Sequence, residues 1–143
     1  MIFTWILTLF ISFASFSQSK NEASLTIMIT HAKSDEGLIR LLVFDQAVGF
    51  PEHVQSAVAS YSLPIQHKES KVVIDDLPPG EYAVSVFHDE DNNGELEKHL
   101  LGFPSERYGF SNNPKLTFAA PTFENCSFLL EVNQNKHVHI KLR

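Results

Sequence analysis

The chain has 143 residues, of which 43% are hydrophobic, 20% charged and 11% aromatic. That length suits one domain, and that composition excludes a disordered or collagen-like chain. A net charge of −6 without a basic cluster argues against nucleic-acid binding, and the single cysteine excludes an intrachain disulfide or a multi-cysteine metal site.

Met1 to Ser17 carries no charged side chain, and Ile2 to Phe13 is a dense apolar run. A membrane-spanning helix needs about 20 apolar residues. This run is shorter and is interrupted by Thr4, Thr8 and Ser12. It ends in Ser15-Phe16-Ser17, a small-residue pattern that suits cleavage before Gln18. Residues 1–17 therefore read as a signal peptide, with an uncleaved anchor as the alternative, and residues 18–143 as the domain. The expected location is periplasmic or secreted, with no membrane span after cleavage.

The rest reads as strands. Leu25, Ile27 and Ile29 alternate within Leu25–Thr30. Asp35-Glu36-Gly37 is turn chemistry. Leu38 to Phe44 is apolar except for Arg40, which predicts a strand covered on both faces. Glu52 to Tyr61 suits a short helix or an irregular crossing. Ser62 to Ile65 returns to an extended strand that Pro64 restricts to a sheet edge. Lys71 to Ile74 and Tyr82 to Phe87 follow, separated by the Leu77-Pro78-Pro79-Gly80 turn. Phe123 to Val132 and His137 to Leu142 close the chain. About seven strands predict a single antiparallel all-β sandwich.

The loop after Phe87 concentrates the chemistry. Asp89, Asp91 and Asn93 are spaced by two and followed by Gly94, as in the first half of a calcium loop. A backbone carbonyl at Glu95 and a further oxygen at Glu97 would extend the ligand set. The twelfth position, where a full EF-hand carries a bidentate glutamate, is Leu100. The loop also follows a strand rather than a helix. It is thus a calcium-type half loop whose missing ligand must come from elsewhere or from water. The competing reading is a solvated acidic turn.

Tyr108, Phe110, Asn112 and Asn113 form a second candidate, a loop suited to stacking on a sugar or peptide. Packing beneath the end of the sandwich accounts for the same residues. His137 and His139 share one strand face, opposite Val138, Ile140 and Leu142. Two imidazoles need a third ligand to hold zinc. Cys126 lies in a strand pattern without a neighbouring base and reads as a buried small side chain.

Several segments carry a resemblance. They are Asp76-Leu77-Pro78-Pro79-Gly80-Glu81-Tyr82 running on to Asp89, then Asp91-Asn92-Asn93-Gly94, Leu101-Gly102-Phe103-Pro104 and Tyr108 to Asn113. Gly49-Phe50-Pro51 and Phe123-Glu124 fit as well. Together they resemble the bacterial family known as domain of unknown function 2141. The resemblance implies a secreted or periplasmic bacterial protein with a transthyretin-like or immunoglobulin-like sandwich, and it implies no established activity. The Leu77–Tyr82 segment also resembles the turn and strand of carboxypeptidase regulatory-like modules, which are not catalytic.

The favoured reading is a non-enzymatic secreted module, with calcium as candidate cofactor and an envelope protein or a glycan as candidate partner. Two alternatives stand beside it. One is a small hydrolase or isomerase using His88 with Asp89 and Asp91. The other is a purely structural envelope protein.

Overall fold

The computed structural model describes residues 23–115 and 117–143; the signal peptide expected at residues 1–17 lies outside them. Eight strands form among the described residues: β1 (Ala23–Thr30), β2 (Leu38–Phe44), β3 (Ala59–Leu63), β4 (Glu69–Leu77), β5 (Gly80–Asp89), β6 (Tyr108–Phe110), β7 (Phe128–Leu130) and β8 (Asn135–Lys141). A 3₁₀ turn spans Val54–Ser56, and one helical turn, α1, spans Phe123–Cys126.

Alternation places the core. Leu25, Ile27 and Ile29 point inward from β1 and are fully buried, as their period of two predicts. β1 is the centre of a three-stranded sheet, antiparallel to β4 and, unlike the all-antiparallel pairing expected, parallel to β8, which arrives from the far end of the chain. Ile39, Leu41 and Val43 of β2 and Val84 and Val86 of β5 face them from the second sheet. The result is an all-β sandwich with one main core between two sheets.

The second sheet runs β3-β2-β5, and β6 and β7 share the far edge of β5. β7 pairs with Gly80–Tyr82 and β6 with Ser85–Phe87. Ser111 closes the seam between them. Its Oγ accepts from Val84 N at 2.8 Å and donates to the Cys126 carbonyl at 2.6 Å. Ser111→Ala would orphan a buried amide and a buried carbonyl. The expected cost is about 1–3 kcal/mol, read as a lower urea midpoint with an unchanged slope.

β2 is buried along its inner face, whereas its outer face, expected to be covered as well, is buried only at Phe44 and half-buried at Leu38, Arg40 and Leu42. Its outward Phe44 joins Ala83, Phe110, Phe123 and Cys126 in a second apolar cluster outside the sheet. Phe50 sits among these rings, with centroids 5.3 Å from Phe44, 6.1 Å from Phe110 and 6.0 Å from Phe123. Burial pushes the Cys126 thiol up to about 12, so at neutral pH it stays a protonated, unreactive packing group.

Two elements differ from the sequence expectation. Phe123 to Cys126 is a helical turn rather than strand, because the Thr122 hydroxyl caps it by accepting from Asn125 N. Tyr108–Phe110, expected as loop, is the short strand β6. β3 does lie at a sheet edge, with Pro64 just beyond it.

Candidate functional site

Successive side chains of β5 point to opposite faces, so its last two residues part company. His88 turns inward and Asp89 outward, and both are fully buried. His88 Nδ1 accepts from Lys33 N at 3.2 Å, and Nε2 lies 2.7 Å from the Glu36 carbonyl. An acceptor at one nitrogen and a donor at the other fix a neutral imidazole that pins the segment before β2. Both ring nitrogens are thus committed to backbone, and His88 does not meet Asp89 and Asp91.

Asp89 organises the loop beyond it. Its Oδ2 accepts from Arg40 Nε at 2.7 Å and from Gly94 N at 2.9 Å, and its Oδ1 accepts from Asn93 N at 3.0 Å. Asp91 accepts from Asn93 N at 3.2 Å, and Asn93 Oδ1 accepts from Glu95 N at 2.7 Å. Each side chain thereby satisfies an amide further along, which Asp and Asn do in tight turns. The left-handed backbone at Asn92 (φ 59°) and Gly94 (φ 81°) completes the bend.

A third carboxylate comes from outside the loop. Glu106 is buried two residues before β6; it accepts from Glu90 N at 2.8 Å and from Glu97 N at 3.2 Å. One carboxylate oxygen from each of Asp89, Asp91 and Glu106 lies within 4.8 Å of the others. The guanidinium of Arg40 sets one positive charge against these three negative ones. Burial pushes the Asp89 carboxyl up, but Arg40 and the amides of Gly94 and Asn93 outweigh it and hold the group below its usual 3.8.

The expected ligand set is therefore only partly gathered. Asp89 and Asp91 meet, and Glu106 joins them without a sequence motif to announce it. Asn93 spends its side chain inside the loop, donating to Asp91 at 3.0 Å. Glu97 is exposed and its carboxylate stands outside the cluster; Glu95, expected to offer its backbone carbonyl, is an exposed residue of the same loop. His137 and His139 are exposed on the outer face of β8, with Val138 and Ile140 inward. His139 Nε2 lies 3.0 Å from the Thr30 hydroxyl.

Residues 27–139 match the model of a family described as an uncharacterized protein conserved in bacteria, DUF2141. The chain belongs to the DUF2141 family. No curated protein and no solved structure matches it.

The second candidate loop of this DUF2141 chain is largely structural. Phe110 is buried in the outer apolar cluster, and Asn112 Nδ2 donates to the Ser127 carbonyl at 2.7 Å. Asn113 pairs with the edge of β8, donating to the His139 carbonyl at 2.7 Å and accepting from Lys141 N at 2.8 Å. A side-chain amide there occupies an edge that a further strand would otherwise find. Tyr108, and Phe110 beside it, also line a cavity of about 640 Å³ on the outer face of the larger sheet.

Strand register lays out the floor of that cavity. Ser62, Arg40, Phe87 and Tyr108 form one row across β3, β2, β5 and β6, and Ser60, Leu42, Ser85 and Phe110 form the next. The DUF2141 segments Gly49-Phe50-Pro51 and Leu101-Gly102-Phe103-Pro104 supply wall residues at Pro51, Gly102, Phe103 and Pro104. Ser85 Oγ ties the first wall down by donating to the Pro51 carbonyl at 2.7 Å.

Proposed function

We propose that this chain is a non-enzymatic β-sandwich module, secreted or periplasmic, that binds calcium at Asp89, Asp91 and Glu106. One observation carries the reading: three carboxylates converge, two of them buried, against one guanidinium. Two uncompensated negative charges in a partly desolvated site are costly, and a divalent cation removes that cost. Hard carboxylate oxygens suit calcium. The loop supports the reading, since its first carboxylate accepts the amides of the fourth and fifth residues after it and so is already oriented. The apolar run at residues 1–17 supports the location.

Thermal unfolding of the purified protein with calcium, with magnesium and after chelation tests the proposal. Extracellular modules bind calcium with dissociation constants of about 10⁻⁴–10⁻³ M. At 100 times the dissociation constant, one site adds about 2.7 kcal/mol, a rise of several degrees for a domain of this size. Asp91→Asn should abolish the calcium-dependent rise while leaving the chelated midpoint nearly unchanged, because Asp91 is exposed. An identical midpoint in all three conditions up to 10 mM calcium, about 100 times the tighter limit, would sink the calcium reading.

A further inference from the structure

The cavity over the larger sheet makes a separate demand, independent of the metal. Its volume of about 640 Å³ falls within the range of about 300–1,000 Å³ that holds small molecules. The charges that line it are balanced. Arg40 and Lys98 stand against Glu52 and Glu95, two cations and two carboxylates. Both cations are already paired: Lys98 Nζ lies 3.0 Å from Glu52, and Arg40 Nε lies 2.7 Å from the buried Asp89. Asp91 and Glu106 beyond Asp89 add negative charge that opposes an anionic guest, while the Arg40 guanidinium on the floor opposes a cationic one. The guest that suits these walls is neutral.

That guest must also be polar along one side and apolar along another. Ser60 and Ser62 bring two hydroxyls to the β3 side of the floor, and a hydroxyl both donates and accepts. Arg40 gives one hydrogen to Ser62 from Nη1 and one to Asn92 from Nη2, so each terminal nitrogen keeps a second. Leu42 and Phe87 make the neighbouring floor apolar. Above it Phe103 and Phe118 meet edge to face with centroids 6.3 Å apart, and Phe118 is 94% exposed, so its ring is open to a partner. A neutral hydrocarbon would cover the rings but leave these donors and hydroxyls without partners. A sugar ring meets both demands, with hydroxyls at its edge and a C–H surface on its faces. The floor crosses four strands, about 14 Å at the usual spacing of about 4.8 Å, which is longer than one such ring.

We infer that this cavity binds a neutral oligosaccharide of β-1,4-linked pyranose rings, its hydroxyl edge on the Arg40–Ser62 side and its flat C–H faces against Phe87 and Phe118. Equatorial links keep such a chain flat enough to lie along a sheet. Cellotetraose and chitotetraose are the probes, each titrated by calorimetry into the full chain in chelator, which separates this test from that of the metal site. Saturable binding of at least one is expected. Phe118→Ala should weaken it at least about tenfold by removing the stacking face, and Phe118→Trp should retain it. Phe118 is exposed, so the fold should survive, which an unchanged unfolding midpoint would show. Ser60→Trp obstructs the floor from the exposed edge strand and should weaken binding by at least as much. Absence of saturable binding by both tetrasaccharides, or unaltered affinity in both Phe118→Ala and Ser60→Trp, would overturn the inference. Binding of dodecanoate or octylammonium in place of either sugar would overturn it in favour of a charged amphiphile.

Discussion

Asp89→Ala is expected to lower the unfolding free energy by about 3 kcal/mol, the low end of the range for breaking a buried ion pair, because Arg40 keeps a quarter of its side chain in solvent. The loss has three parts. Arg40 loses the acceptor of its Nε–H, the amide of Gly94 loses its acceptor, and the amide of Asn93 loses the nearer of its two, keeping Asp91. Chemical unfolding in chelator reads the effect without a metal contribution. Arg40→Ala and the double variant complete a cycle, and a coupling energy near zero would refute the pairing. The pH dependence has a definite sign. The native Asp89 carboxyl titrates below its usual value, so its contribution is fully present above the unfolded-state value of about 3.9. It is lost as pH falls through the lower native value. The wild type should therefore lose stability more steeply on acidification below about pH 4 than Asp89→Ala does.

The sandwich was legible wherever the period of two was clean. Leu25, Ile27 and Ile29 announce β1, and the run from Leu38 to Phe44 announces β2, although its second face is fully covered only at Phe44. What failed was local. Phe123 and Cys126 are three apart, which places both on one face of a helical turn, and Thr122 ahead of them is a helix cap. Those two cues outweigh the apolar content that suggested a strand. β6 was hidden because three residues are too few to show a period; Tyr108–Phe110 is held by pairing with β5, a contact distant in sequence.

The same division runs through the site. The Asp89–Gly94 turn is local, so its spacing could be read directly. Glu106 could not, because nothing in Ser105-Glu106-Arg107 marks a ligand. It reaches the loop because Tyr108, two residues on, pairs with Phe87 and brings the chain back alongside β5. Asn112 and Asn113 misled for the opposite reason. Their left-handed backbone (φ 63° and 45°) marks a turn, and their amides serve neighbouring carbonyls and amides instead of a guest. The cavity floor combines strands β3, β2, β5 and β6, so it exists only after the register is set. Asp89 links the two candidate sites physically, since it belongs to the carboxylate cluster and also holds the Arg40 that lines the cavity.

Gly37→Ala tests how tightly that junction is built. Gly37 adopts φ +73°, and a Cβ there would stand 2.1 Å from the Asp89 carbonyl oxygen and 2.9 Å from Glu90 Cα. Both are backbone atoms, so no rotamer change relieves the overlap. Either the start of β2 or the end of β5 must move. The movement would strain the Leu38–Asp89 register and the hydrogen bond from His88 to the Glu36 carbonyl. Gly94→Ala is the matched control, because Gly94 has φ +81° and open space where its Cβ would fall. The control should lose about 1–2 kcal/mol from left-handed backbone alone. Gly37→Ala should lose about 1–3 kcal/mol more, the usual cost of forcing atoms into filled space. Urea unfolding of the two variants side by side isolates the overlap, since the backbone term is common to both. Equal losses would mean that β2 and β5 part easily at this end, and the acidic loop would then lack the rigid base that both proposed sites require.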